Sequence, residues 1–153
     1  EDVKVTKAVG YLIAQFCHKR PGPKEKKWFD AERESDGTLR VAGLLTALLQ
    51  EPPVPCICIE EPELTVHPGA LPMIYDYLSE ATERSQIIVT THSPVLLDYL
   101  KFEKSKVFVI SKNHGITDVR PLSKEKRKAV SKQLLTLGEL MISGELQLPL
   151  FED

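Results

Sequence analysis

Two adjacent carboxylates, Glu60 and Glu61, and one imidazole, His92, each follow directly on a short β-branched run of the 153-residue chain. Like charges side by side raise each other's pKa unless something positive compensates. A Mg²⁺ ion supplies that compensation, binding through one or two carboxylates together with waters and substrate phosphates. Adjacent residues project differently, so the two acids need not share one task. Glu60 could hold the metal while Glu61 orients or deprotonates an attacking water, and His92 could hydrogen-bond a transferred phosphoryl group or position that water. A further piece is Ser35-Asp36-Gly37-Thr38, which opens an apolar helical stretch. Unpaired N–H groups and the positive end of the helix dipole make such a start an anion site, and Gly37 lets another group come close. Taken singly, each has a bland meaning: a surface pair of acids, a hydrogen-bonded histidine, a serine capping a core helix.

What gives them weight is the set of elements that must carry them. Cys56-Ile57-Cys58-Ile59 is too short for a helix and reads as a strand buried on both faces, stopped at once by Pro62. Residues 86–91 read as a second strand, ending in His92-Ser93-Pro94. Between them, residues 69–84 carry Leu71, Ile74, Tyr75, Leu78 and Ala81 on one helical face, with Pro72 tolerable only in the first turn. A helical crossover makes the two strands parallel, so both acids and the imidazole emerge on one sheet edge, where open α/β folds place ligands. Residues 41–50 are apolar almost all round and predict a buried helix, capped by Ser35 or Asp36. Upstream, residues 9–16 and 27–29 read as a hairpin around a basic loop containing Pro21-Gly22-Pro23. Downstream, Ser93-Pro94 starts a short helix to Leu100. Residues 106–110 and 116–120 then form a hairpin about Asn113-His114-Gly115, followed by a helix from Ser123 to about 137 and a tail that docks or frays. The expected fold class is therefore α/β: a parallel-sheet core with flanking helices and a hairpin at each end.

Composition bounds the function. A chain of this length makes one domain that buries roughly 68–70% of its unfolded surface without staples. A formal net charge of -2 gives no global field to draw nucleic acid or anionic lipid. Cys56 and Cys58 alternate with isoleucine and act as small apolar residues; a C-x-C metal site lacks further ligands nearby. No apolar stretch approaches the ~18 residues of a membrane span, and no signal-peptide layout opens the chain, so a reducing, cytoplasmic setting is expected. The first residue is Glu1 rather than methionine, which suggests a fragment or a processed product.

With the pieces in order, the sequence resembles the C-terminal half of ATP-binding cassette ATPases, in particular the soluble AAA-type branch related to RecF, SMC and OLD proteins. Residues 35–40, Ser-Asp-Gly-Thr-Leu-Arg, resemble the signature motif, and residues 56–61 resemble Walker B with its catalytic glutamate. Residues 63–68 resemble the D-loop, and Thr91-His92-Ser93-Pro94 the switch-histidine loop. The resemblance covers residues 34–100, with 1–33 as a hairpin region before it and 101–153 as a C-terminal hairpin and helix. It implies a P-loop NTPase fold whose cofactors are ATP and Mg²⁺. By position, Glu60 stands for the usual Walker B aspartate and holds the metal, Glu61 polarises the hydrolytic water, and His92 contacts the γ-phosphate. Ser35, Asp36, Gly37 and Thr38 face a nucleotide held mainly by a second subunit, and His67 lies at the dimer interface. Implied partners are nucleotide, a second copy across an ATP sandwich or an N-terminal lobe carrying the phosphate loop, and DNA in a repair or defence setting.

One departure is plain: no G-x-x-x-x-G-K-[ST] occurs in the chain, nor a glutamine loop. The chain is thus expected to be one lobe of a larger or split ATPase, inactive by itself. Two other classes remain open at this stage. A divalent-metal nuclease would use Glu60, Glu61 and His92 directly but leaves the Ser35-Asp36-Gly37 helix start unexplained. A non-catalytic interaction module would have kept the fold and lost the phosphate loop.

Overall fold

A computed structural model describes residues 2–18, 26–102 and 104–146. The N-terminal part is a three-stranded antiparallel sheet rather than the expected two-stranded hairpin. Strand β1 (Asp2–Ala8) pairs with β2 (Tyr11–His18), which pairs in turn with β3 (Lys27–Asp30). Val9 and Gly10, expected inside a strand, form the β1–β2 turn with φ of 48° and 82°. The period-2 alternation of Val3 and Val5 with polar residues marks β1 in the sequence, but the apolar run beginning at Val9 outweighs it. Phe16 and Cys17 are the buried residues of this sheet. The Pro21-Gly22-Pro23 loop lies outside the described residues.

Helix α1 (Asp36–Leu49) starts where Ser35 accepts a side-chain hydrogen bond from the Thr38 N–H. Its all-round apolarity predicted burial, yet only Leu48 is fully buried. Strand β4 (Cys56–Glu60) likewise departs from expectation. It pairs in parallel with β5 (Gln86–Thr90), Glu60 standing opposite Thr90, and only one face of this pair is covered. Ile57, Ile59, Ile87 and Val89 pack on Leu48 of α1 and on Leu71, Ile74, Leu78 and Ala81 of helix α2 (Leu71–Ala81), while Cys56, Cys58 and Ile88 face outward. Two helices on one side of two strands cover only alternate residues, so a sequence apolar on both faces ends half exposed among the described residues.

The crossover helix α2 places its buried residues at the three- and four-residue spacing read from the sequence, with Pro72 in its first turn after a 3₁₀ turn at Pro68–Ala70. It stops at Ala81 because the next residues do other work. Arg84 donates to the Leu48 carbonyl at 2.7 Å and pairs with Glu51, and Ser85 donates to the Val54 carbonyl at 2.7 Å, joining the starts of β4 and β5.

The chain continues through α3 (Pro94–Asp98), the hairpin of β6 (Phe108–Asn113) with β7 (Ile116–Pro121), and α4 (Lys124–Ser131). The long helix expected to reach 137 breaks at Gln133, whose φ is 57°. What was read as a tail contains a separate helix, α5 (Leu137–Ile142), opened by a capping box between Thr136 and Glu139. Gly138, in the stretch expected to dock or fray, is a contact residue. Its N–H donates to Asp98 Oδ1 at 2.7 Å, and a Cβ there would stand 2.7 Å from the Pro94 carbonyl oxygen. No helix among the described residues is long and apolar enough to cross a membrane.

In a helix, glycine to alanine ordinarily gains about 1 kcal/mol. For Gly138→Ala the sign reverses, because the added methyl drives α5 off α3; urea denaturation reads a loss of about 1–3 kcal/mol. A stabilised variant would contradict the α3–α5 contact.

Candidate active site

The parallel register carries β4 and β5 to the same edge, and the last bond across it runs from the Glu61 N–H to the Thr90 carbonyl at 2.9 Å. Just past the strand ends, one residue beyond β4 and two beyond β5, Glu61 Oε1 and His92 Nε2 stand 3.8 Å apart. The imidazole is 81% exposed and the carboxylate 32%, so the pair opens to solvent at the rim. Glu60 continues the outward alternation of Cys56 and Cys58. The chain thus brings the three predicted groups to one edge, and Glu61 takes a left-handed φ of 44° in leaving the strand. A non-glycine residue in that region carries strain of order 1–3 kcal/mol, held only where neighbours fix it.

The neighbour that fixes it is Arg40 on α1. Its Nη2 donates to both the Glu60 and the Glu61 carbonyl at 2.8 Å. A single guanidinium nitrogen therefore ties the helix that begins at Ser35 to the backbone of both acids, and charged donors make hydrogen bonds stronger than neutral ones. Arg40 was part of the motif read from sequence but had no role assigned to it; nothing in spacing alone says that its target is a pair of carbonyls twenty residues away.

The start of α1 meets the loop after β4 a second time. A Cβ on Gly37 would stand 2.4 Å from the Thr65 carbonyl oxygen, closer than any side-chain atom can come. Gly37 does permit a close approach, as its sequence position suggested, and the group that approaches is this chain's own backbone. Thr65 itself has φ of 61°, so the turn presses a strained carbonyl onto the helix. Ser35 and Asp36 stay exposed beside this contact, and Thr38 Oγ1 shares a 2.8 Å hydrogen bond with Ser35 Oγ. Just upstream, the Glu34 carboxylate is 6% exposed and meets His18 Nε2 at 2.8 Å, anchoring the approach to α1 on β2. His67 accepts from the Gly69 N–H through Nδ1 at 3.0 Å, so one nitrogen caps the Pro68–Ala70 turn while the ring remains exposed.

As a metal site the edge offers carboxylates rather than a cage. Glu60 makes no ion pair among the described residues, and no group of three or more His, Cys, Asp or Glu side chains there is placed to hold one ion. Two outward acids without a lysine or arginine on their oxygens fit a hard cation that keeps waters and phosphate oxygens as its other ligands. Cys56 and Cys58 are both free thiols on the exposed face of β4.

A family profile described as "AAA domain, putative AbiEii toxin, Type IV TA system" matches residues 22–98, which include Ser35 to Thr38, Arg40, Glu60, Glu61, His67 and His92. Among solved structures, the chain is similar to an SMC ATPase described for ATP-driven dimerization and DNA-stimulated activation, at 20% identity and a TM-score of 0.62, covering 86% of this chain and 80% of that one. It is also similar to the Smc head domain with coiled coil and joint from Pyrococcus yayanosii, at 22% identity and a TM-score of 0.56, over 80% of this chain and 22% of that chain. The Smc head of Pyrococcus furiosus bound to the C-terminal domain of ScpA gives 21% identity and 0.56, over 80% and 29%. The fold is that of SMC-type ATPase heads, as the expected α/β class required. A search of curated proteins finds no match.

Removing the guanidinium tests how the edge is held. Arg40→Ala leaves two carbonyls without their charged donor and is expected to cost about 1.5–3 kcal/mol by chemical denaturation. An unchanged midpoint would mean that the Glu61 backbone holds itself.

Proposed function

Because this chain belongs to that AAA domain family, we propose that it supplies the hydrolytic edge of an ATPase whose nucleotide is sandwiched between two domains. The observation that carries the proposal is the 3.8 Å approach of Glu61 to His92 at the end of two parallel strands. ATP binding and hydrolysis is the general activity that the family and the head-domain fold support. In the finer reading, residues 56–61 serve as Walker B, 63–68 as the D-loop and 35–40 as the signature motif.

Each residue then has a task its geometry allows. Glu61 accepts a hydrogen bond from the attacking water and takes up its proton, and the adjacent His92 ring donates to the γ-phosphate as charge builds on it. Glu60, free of cationic partners among the described residues, holds Mg²⁺, commonly through water. When bound, the ion neutralises phosphate charge and orients the triphosphate. Ser35 and the N–H groups of Asp36 and Gly37 in the first turn of α1 serve the γ-phosphate of a nucleotide held mainly by a second copy. Since the Thr65 carbonyl covers the Gly37 α-carbon, Gly37 contributes through its N–H. His67, with one nitrogen free of the cap, lies at that interface.

The phosphate cradle must come from residues outside these 153, since no phosphate-loop motif is among them. The setting is defence or DNA repair, supported by the family's description as a toxin of a type IV system and by the SMC-like fold. The nuclease alternative leaves the Ser35-Asp36-Gly37 helix start without a role.

The test compares the isolated chain with the protein carrying its phosphate loop. The isolated chain is expected to turn over ATP negligibly. The complete protein hydrolyses it with Mg²⁺, and Glu61→Gln lowers kcat by about 10²–10⁴ while nucleotide binding persists. Metal-dependent DNA cleavage without nucleotide, abolished by the same substitution, would overturn the assignment.

A further inference from the structure

The loop after β4 holds a carboxylate that neither the strands nor the chemistry above makes use of. Glu63 Oε1 accepts from Thr91 Oγ1 at 2.5 Å and from the His92 N–H at 3.2 Å. Thr91 Oγ1 in turn accepts from the Ser93 N–H at 2.9 Å. Glu63 Oε2 is buried and has no partner among the described residues. These bonds begin where the sheet ends, because the ladder between β4 and β5 closes with the Glu61 N–H on the Thr90 carbonyl. Beyond it, among the described residues, the His92 N–H is bonded by Glu63 and the Ser93 N–H by the Thr91 hydroxyl.

The exposure of His92 gives this a consequence. With four-fifths of its side chain in solvent, the ring is not held by packing, so its height over Glu61 is set by its own backbone. That backbone hangs on Glu63. The other end of Glu63 belongs to the turn that starts at Glu61: the Leu64 N–H donates to the Glu61 carbonyl at 3.0 Å, and the Val66 N–H to the Glu63 carbonyl at 3.2 Å. The same turn carries Thr65, pressed on Gly37, and leads to His67.

We propose that Glu63 is a positioning residue, whose carboxylate fixes His92 opposite Glu61 and mechanically joins the loop after β4 to the loop after β5. A displacement of residues 63–67, such as a second domain docking on them would produce, is transmitted through Oε1 to the His92 backbone. The inference rests on the hydrolytic roles given to Glu61 and His92.

The variants that test it separate shape from charge. Glu63→Gln keeps the Oε1 acceptor and puts an amide where the unpartnered oxygen lies, whereas Glu63→Ala removes the anchor. In the 153-residue chain, amide hydrogen exchange at His92 is expected to quicken about tenfold in the alanine variant and to stay within about threefold of the parent in the glutamine variant, as loss of a charged hydrogen bond implies. In the complete protein, Glu63→Ala lowers kcat about tenfold with KM for ATP unchanged, and Glu63→Gln restores it. Unchanged exchange at His92 in Glu63→Ala overturns the anchoring whatever the activity. Faster exchange with an unaltered kcat overturns the catalytic consequence. A parent protein that does not hydrolyse ATP at all fails the reading of the site, while the exchange result still judges the anchor by itself. If Glu63→Ala does not fold, Thr91→Val against Thr91→Ser puts the same question through the donor.

Discussion

Parallel pairing of β4 with β5 is the constraint on which the rest of the molecule depends. An antiparallel pair would send the two strand ends to opposite rims and leave Glu61 and His92 a strand length apart. Parallel strands need a crossover, and α2 supplies it, burying Ile74 completely while Arg84 and Ser85 tie the strand starts together. The register does the remaining work. With Glu60 opposite Thr90, the next residues of both strands leave the sheet at the same height.

Around that edge the backbone is bent into conformations that side chains avoid. Glu61 and Thr65 both have positive φ, and each is held by a contact from α1: Arg40 on the carbonyl of the first, Gly37 against the carbonyl of the second. The start of α1 and the loop after β4 are therefore one mechanical unit. The flank of that helix is locked to the backbone of both acids through Arg40. Glu63 extends the same unit to the loop of His92.

The convergence of Glu60, Glu61 and His92 on one edge was legible in sequence because its parts are local: two acids after one apolar run, an imidazole after another, a crossover helix with clear periodicity between them. The α1 cap and the face of α2 could be read for the same reason. What escaped was non-local. Arg40 reaching carbonyls across the fold, the Thr65 oxygen lying on Gly37, and Glu63 accepting from Thr91 are contacts between segments about twenty to thirty residues apart, and no periodicity encodes them. Burial misled where one pattern has two meanings. Cys56, Cys58 and Ile88 read as core, but among the described residues the helices cover only the opposite face. The contact of Gly138 with α3 also escaped, because its stretch was expected only to dock or fray as a tail, although Thr136 and Glu139 already spelled a capping box.

If Glu61 and His92 act as one device, their losses cannot multiply. A double-mutant cycle on single-turnover ATP hydrolysis, with Glu61→Gln, His92→Ala and both together in the complete protein, measures this directly. The account predicts that the double variant is no slower than the worse single one, as groups working on the same transition state behave. A double variant whose rate loss equals the product of the two single losses would show that the two side chains, though 3.8 Å apart, work independently.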